Sequence, residues 1–292
     1  MAKIRLGVVG AGQMGAGIAQ VGAQAGYEVM VFDAFPGAKE KAQSVIRKSL
    51  DKLAEKQQLK ESADQVWGRL SFVSSIQDLA AFQPDLVIEA ITENVEVKLN
   101  LYRELDSVMP AKTILASNTS SIPITKIGAA TKRPEKVVGM HFMNPVPLMK
   151  LVEVIPGLAT SKEVLDLALN VSKEMGKTTI VSKDMPAFVV NRVLMPLINE
   201  AFFALGEGLA SAEDIDTGVC LGLNHPMGPL TLADFVGLET CLAILEVLHK
   251  NLGEDKYRPA PLLRQYVEAG WYGKKSGRGV YKWDAATGKK VV

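Results

Sequence analysis

Residues 4–15 read Ile4-Arg5-Leu6-Gly7-Val8-Val9-Gly10-Ala11-Gly12-Gln13-Met14-Gly15. The apolar run 4–9 is the kind expected of a parallel strand buried on both faces. It leads directly into Gly-x-Gly-x-x-Gly, and that loop opens a small-residue, helix-compatible stretch to residue 24. The glycine pattern alone is weak; between a buried strand and a helix it becomes specific for dinucleotide binding. Gly10 permits the tight turn, Gly12 lets backbone approach a pyrophosphate, and Gly15 lets the helix pack on the strand. Gln13 and Met14 sit at the helix N-terminus, where free N–H groups and the helix dipole favour phosphate.

Outward from this loop, residues 28–33 form a second strand ending in Asp33. A carboxylate there accepts hydrogen bonds from a ribose 2′-hydroxyl and repels a 2′-phosphate, and Ala34 and Phe35 offer no arginine for such a phosphate. NAD is therefore predicted over NADP. A charged amphipathic helix spans 37–59. Strands are expected at 70–73, 86–89 and 113–116, with a helix over 95–108. Further strands follow at 137–141, 151–154 and 178–181, with a helix over 162–175. The alternation predicts an α/β fold with a doubly wound, Rossmann-type parallel sheet. After Lys183 the texture changes. Asp184-Met185-Pro186 is expected to start a helix, with Asp184 as N-cap and Pro186 in the first turn. From Ala187 to Tyr266 the periodicity is helical, as in Leu194, Leu197, Ile198, Ala201, Phe202 and Leu205. Two domains are predicted, a dinucleotide-binding one over 1–184 and a smaller all-helical one over 185–292.

The net charge of +1 over 292 residues gives no global signal for nucleic acid or a membrane surface. No stretch of 18 apolar residues occurs, so no membrane span is expected. The two cysteines, Cys220 and Cys241, have neither metal-ligand nor redox spacing, so no metal is predicted and a reducing compartment is implied. The N-terminal segment lacks a secretory pattern, which makes the cytoplasm the expected location.

Three histidines are present, His141, His225 and His249. His225 reads as a turn residue between helices and His249 as a cation suited to a helix C-terminus. His141 ends the strand 137–141, and strand C-termini are where open α/β sheets bind ligands. The segment Asn144-Pro145-Val146-Pro147 then forces a turn into the strand 151–154. If these two strands pair back to back, Glu153 lies across from His141. A histidine with a buried carboxylate partner is a suitable base for alcohol oxidation, in which the hydroxyl must lose a proton as hydride leaves carbon. Ser117-Asn118-Thr119-Ser120-Ser121 follows the strand 113–116 and reads equally well as a cofactor-facing cluster or as turn and cap chemistry.

Taken together, Gly-Ala-Gly-Gln-Met-Gly at 10–15, Glu-Ala-Ile-Thr-Glu-Asn at 89–94, Ser-Asn-Thr-Ser-Ser at 117–121 and His-Phe-Met-Asn-Pro-Val-Pro at 141–147 resemble the 3-hydroxyacyl-CoA dehydrogenase family, including its bacterial 3-hydroxybutyryl-CoA dehydrogenases. Lys-Leu-Val-Glu-Val at 150–154, Phe-Val-Val-Asn-Arg at 188–192, Asn-His-Pro-Met-Gly-Pro at 224–229 and Gly-Lys-Lys-Ser-Gly-Arg-Gly-Val-Tyr at 273–281 extend the likeness over nearly the whole chain. The resemblance implies that His141 takes the 3-hydroxyl proton, that Glu153 orients it, and that Ser120 hydrogen-bonds near the substrate hydroxyl and the nicotinamide. It implies that Asn191 binds substrate and that Glu93, Lys98, Asn144 and Lys275 contact the cofactor. It further implies action on the (S) isomer of an acyl-CoA, and a homodimer through the helical domain, which apolar positions such as Leu242, Leu245 and Leu248 permit.

Two positions depart from the family pattern. Ala187 stands where glycine is usual, and Met143 where a second phenylalanine is usual. Lys48, Lys52 and Lys56 repeat at i, i+4, i+8 and form one stripe, which reads either as a solvated face or as a seat for coenzyme A phosphates. A dehydrogenase of a free hydroxy or sugar acid, and a non-catalytic dinucleotide-binding protein, are the alternatives. No fused hydratase is expected.

Overall fold

The computed structural model describes residues 4–291. The reading of the N-terminus as lacking a leader touches Met1–Lys3, which lie outside the described residues, as does Val292. The chain divides into two compact units, one running through Phe188 and the other from Val189. The sequence reading put the boundary at 184, before segment 185–188 instead of after it.

In the first unit the strands are β1 (Arg5–Val9), β2 (Glu28–Phe32), β3 (Leu70–Val73), β4 (Leu86–Glu89), β5 (Ile114–Ser117), β6 (Val137–Phe142), β7 (Leu151–Pro156) and β8 (Thr178–Val181). They form one eight-stranded sheet in the order β3-β2-β1-β4-β5-β6-β7-β8. Neighbours are parallel except β6 and β7, which run antiparallel. The strand order reverses between β1 and β4, and the crevice outside the strand C-termini at such a switch is where doubly wound sheets hold ligands. The helices are α1 (Gln13–Gln24), α2 (Ala38–Glu55), α3 (Ala63–Trp67), α4 (Ile76–Ala81), α5 (Val95–Val108), α6 (Ile124–Gly128) and α7 (Lys162–Glu174).

Both faces of the sheet are covered, which is why its strands read as apolar runs instead of alternating ones. Leu6, Val8, Leu86, Ile88, Val138 and Met140 join one core together with Ile18 of α1 and Ile46 of α2. The intervening Val9, Val87, Leu115 and Val137 join the other, with Leu79 of α4, Tyr102 of α5 and Ile127 of α6. Helices α3, α4 and α6 were not foreseen, since five or six residues cannot display a helical period; the Ser62 and Ser75 side chains cap the first two. Helix α2 stops at Glu55, short of the expected Leu59, where Gln57 adopts a φ of 53°.

Asp184 corrects the sequence reading. It does not cap a helix with Pro186 in its first turn. Its two carboxylate oxygens accept the N–H groups of Ile124 at 2.8 Å and Thr125 at 2.7 Å, capping α6 from 60 residues away. Ala187 and Phe188 adopt φ values of 64° and 52°, and the next helix begins only at Val190. Ala187 is therefore not at a helix start. It occupies the left-handed region, which costs a residue bearing a Cβ about 1 kcal/mol or more.

The second unit consists of α8 (Val190–Gly206), α9 (Ala212–Gly222), α10 (Pro229–Val236), α11 (Leu238–Leu252) and α12 (Pro261–Glu268). Met195, Ile198, Phe202, Leu230, Leu245 and Leu248 are buried in it. Leu245 and Leu248 thus belong to this unit's own core and offer no surface to a partner, contrary to the use the sequence reading made of them. Residues 273–291 form a single 3-10 turn (Lys274–Ser276) and isolated bridges. Buried Asp234 holds them by accepting from Val280 N–H at 2.9 Å, Tyr281 N–H at 3.0 Å and Trp283 Nε1 at 2.8 Å. Among the described residues no helix is long and apolar enough to cross a membrane.

Candidate active site

The glycine loop separates into positions that the protein itself requires and one that it does not. Gly10 has a φ of +100°, and a Cβ there would lie 2.6 Å from the Ala90 carbonyl oxygen. A Cβ on Gly15 would lie 1.7 Å from the Gly10 carbonyl oxygen. A Cβ on Gly12 would meet nothing within 4 Å, so no internal packing accounts for glycine there. Gly12 caps α1 without a side-chain acceptor, and the first turn of α1 carries no acidic residue. Its N–H groups and positive dipole end therefore remain available to an anion, and the loop fits a dinucleotide pyrophosphate. Asp33, just past β2, braces the loop: Oδ2 accepts from Ala11 N–H at 2.6 Å and Oδ1 from Phe35 N–H at 2.8 Å. Each carboxylate oxygen has a second lone pair for a ribose hydroxyl.

At the C-terminal ends of β4 and β5 a buried polar network replaces the apolar core. Glu89, fully buried, ends β4. Its Oε1 accepts from Lys98 Nζ at 2.5 Å and Ile91 N–H at 2.8 Å, and its Oε2 from the Ser117 hydroxyl at 2.7 Å. Lys98, 1% exposed, also lies 3.5 Å from Glu93 Oε2. The other oxygen of Glu93 accepts from the hydroxyls of Thr119 (2.6 Å), Ser120 (3.1 Å) and Ser121 (3.0 Å) and from the N–H groups of Ser120 (2.8 Å) and Ser121 (3.0 Å). Burial is the largest influence on Glu93 and raises its carboxyl. The Lys98 charge and the hydrogen bonds from residues 119–121 outweigh it and leave the group below the ordinary glutamate range.

Beyond β5 lies the pair expected to do acid–base work. In the antiparallel β6–β7 register His141 stands opposite Glu153. Directly opposed residues project on the same face of a sheet. His141 Nδ1 lies 2.7 Å from Glu153 Oε2, with the side chains 9% and 0% exposed. An ionised carboxylate only accepts, so opposite one a neutral imidazole carries its proton on Nδ1 and its lone pair on Nε2. The Phe188 ring packs 5.8 Å from the imidazole, centre to centre. Asn118 Oδ1 accepts Phe142 N–H at 2.8 Å and ties the end of β6 to the loop after β5.

Residues 5–185 match the family described as 3-hydroxyacyl-CoA dehydrogenase, NAD binding domain, and residues 188–283 match its C-terminal domain. The chain belongs to the 3-hydroxyacyl-CoA dehydrogenase family. It is 53% identical to a probable 3-hydroxybutyryl-CoA dehydrogenase of Deinococcus radiodurans, over 96% of this chain and 100% of the relative. It is 47% identical to a 3-hydroxybutyryl-CoA dehydrogenase of Bradyrhizobium diazoefficiens, over 97% and 96% of the two chains. The crystal structure of the (S)-3-hydroxybutyryl-CoA dehydrogenase of Ralstonia eutropha superposes with a TM-score of 0.93 at 48% identity, covering 97% of this chain and 100% of that one.

The first unit of this dehydrogenase also contains a cavity of about 330 Å³ between α1, α2 and the turn 144–148 that follows His141. Helix α1 approaches this turn closely: a Cβ on Gly17 would lie 2.7 Å from Val146 Cβ. Lys52 and Lys56 line the cavity and Asn144 stands in the same wall, whereas Lys48 of the predicted stripe does not line it. Lys177 holds the turn from behind, its ammonium donating to the carbonyls of Val146 at 2.5 Å and Met149 at 2.8 Å. Burial lowers this ammonium below the ordinary lysine range.

The first unit thus gathers Gly10, Gly12, Gly15, Asp33, Glu93, Ser120 and His141 around the C-terminal ends of its strands, with Glu153 of the antiparallel β7 beside His141. Ser120 does not stand free; both its N–H and its hydroxyl are held by Glu93. Asn191, in the first turn of α8, and Lys275, paired with Glu239, belong to the second unit. In residues 117–121, which the sequence left open between two readings, the structure shows turn chemistry: the Ser117 and Thr119 hydroxyls accept N–H groups within the turn, and Ser120 and Ser121 gather on Glu93. Sequence reasoning missed Glu89, Asn118 and Lys177 as organisers. For Glu89 a signal existed, a carboxylate closing the otherwise apolar run Leu86-Val87-Ile88. For Lys177 none did, because its partners are backbone carbonyls.

Proposed function

We propose that this family member oxidises the 3-hydroxyl of short-chain (S)-3-hydroxyacyl-CoA thioesters, such as 3-hydroxybutyryl-CoA, with NAD, and catalyses the reverse reduction of acetoacetyl-CoA. The observation that carries the proposal is the 2.7 Å His141–Glu153 pair at the strand ends, on the same sheet as the glycine loop. The names of the relatives as 3-hydroxybutyryl-CoA dehydrogenases support the substrate class.

NAD, when bound, supplies the hydride acceptor. His141 Nε2 takes the hydroxyl proton, and Glu153, remaining ionised, stabilises the imidazolium and fixes the tautomer. In the reductive direction the same imidazolium returns the proton. Ser120 orients the reacting oxygen; its hydroxyl can turn to substrate because Glu93 keeps four other donors on the same oxygen. Gly12, Gln13 and Met14 hold the pyrophosphate, Asp33 the ribose, and Glu93 and Asn144 complete the cofactor contacts. Lys98, being buried, contributes by holding Glu93. Lys52 steadies the coenzyme A phosphates. The roles of Asn191 and Lys275, and a homodimer, rest on the resemblance. Leu209, Leu221 and Leu223 are among the exposed apolar side chains of the second unit available for such a dimer.

The test follows NADH and NADPH absorbance separately while the purified protein reduces acetoacetyl-CoA, with His141→Ala as control. Fast NADH consumption abolished by the substitution is expected. A preference for NADPH would overturn the role of Asp33, and consumption of neither would overturn the substrate class.

A further inference from the structure

The cavity beside α1 has an internal feature that the proposed roles leave unused. Gln13, Ala16, Gly17 and Gln20 recur at i, i+3, i+4, i+7 and form the stripe of α1 that lines it. Gln20 is 2% exposed, and its Nε2 has no hydrogen-bond partner among the described residues. An unsatisfied amide in a buried wall is a standing penalty that native proteins seldom keep without a use. A half-turn about the last side-chain bond exchanges its oxygen and nitrogen, so either a donor or an acceptor can face the cavity.

The rest of the wall indicates which ligand group belongs there. Among the described residues the exposed lysines Lys52 and Lys56 are the only charges lining it; Lys52 lies in the last turn of α2 and Lys56 is its C-cap. Asn144, three residues beyond His141, lies in the same wall. Ile46, Leu53, Val146 and Leu148 make much of the remaining lining apolar, with Ser49 and Gln58 as further polar groups. An acyl-coenzyme A with its phosphates on the lysines and its thioester near His141 must pass its pantetheine arm through this stretch. That arm is uncharged, flexible and apolar apart from its hydroxyl and two amides.

We infer that Gln20 is a specificity-determining residue, its side-chain amide hydrogen-bonding an amide of the pantetheine arm within this cavity. The inference rests on the acyl-CoA reading above. It also explains why an otherwise costly amide stands in the wall, since the bound arm satisfies it.

The experiment measures binding on the full chain, so that it does not depend on turnover. Calorimetry compares coenzyme A with adenosine 3′,5′-bisphosphate, which keeps the ribose 3′-phosphate but lacks the arm, on the parent protein and on Gln20→Leu. Leucine fills similar space without polar atoms. The expected result is coenzyme A binding weakened about tenfold, as for one lost hydrogen bond, with bisphosphate binding unchanged. The melting temperature should stay level or rise, because no unsatisfied amide remains in the free protein; a purely structural glutamine would lower it. Unchanged coenzyme A affinity overturns the inference. So does equal weakening of both probes with a fall in melting temperature, and so does a parent that does not bind coenzyme A. Intact, Gln20-dependent coenzyme A binding with no reduction of acetoacetyl-CoA would instead sink the proposed reaction and leave this contact standing.

Discussion

Replacing Glu153 by glutamine removes one charge and leaves the side chain's shape nearly unchanged. In the parent the carboxylate sits 2.7 Å from His141 Nδ1, and both side chains are at most 9% exposed. Proton transfer to Nε2 places a positive charge roughly 4 Å from that carboxylate. At an effective dielectric constant of about 20 the attraction is about 4 kcal/mol, which corresponds to about 10³-fold in rate. Glutamine keeps a hydrogen bond to Nδ1 but loses this attraction. If its NH2 group faces the ring, the tautomer reverses and the lone pair leaves Nε2, so the loss approaches about 10⁴-fold, as when a triad carboxylate is made an amide. The expected outcome is a kcat lowered by about 10²–10⁴-fold with NADH affinity unchanged. Turnover is read from NADH formation at saturating 3-hydroxybutyryl-CoA and NAD, and cofactor affinity from NADH fluorescence. A variant that binds NADH normally and retains kcat within about threefold of the parent would refute the assignment of Glu153 as the charge behind the base.

Ala187→Gly should stabilise the protein by about 0.5–1 kcal/mol, since glycine adopts the observed φ of 64° without the Cβ penalty; a lower melting temperature would count against this. Glu89→Gln leaves the buried Lys98 with Glu93, 3.5 Å away, as its charged partner and should cost about 3 kcal/mol. Adding Lys98→Met should recover part of the loss in urea unfolding, whereas additive losses would show that the two residues act independently. Glu93 is held below the ordinary glutamate range, so it contributes stability above its unfolded value near 4.5 that disappears as pH falls through its folded value. Glu93→Gln should therefore flatten the acid limb of a stability-versus-pH curve. An unchanged acid limb would place the acid sensitivity elsewhere.

Much of the first unit was legible because it is built from strong local signals. A strand buried on both faces has no choice but to be apolar, and the glycines at 10 and 15 each answer a close backbone approach that leaves no room for a Cβ, while Gly12 stands where no internal packing asks for it. His141 and Glu153 could be paired on paper because a turn between two short strands constrains which residues oppose one another. The short helices α3, α4 and α6 escaped because one turn of helix is held by its caps, and one of those caps is distant in sequence. Asp184 is the instructive case. Read locally it is a helix N-cap followed by proline, yet it caps α6 through Ile124 and Thr125 and leaves Ala187 in a left-handed conformation.

The sequence by itself determined the fold class, the cofactor loop and the candidate base, because hydrophobic period, glycine geometry and residue chemistry are properties of neighbouring positions. Only the tertiary structure decided that Glu89 links Lys98 to Ser117, that Lys177 holds the turn beside the cavity, and that Gln20 keeps an unpaired amide in its wall. Those roles depend on which polar groups become buried together. Burial is set by the packing of distant segments, and it leaves no periodic mark on the chain.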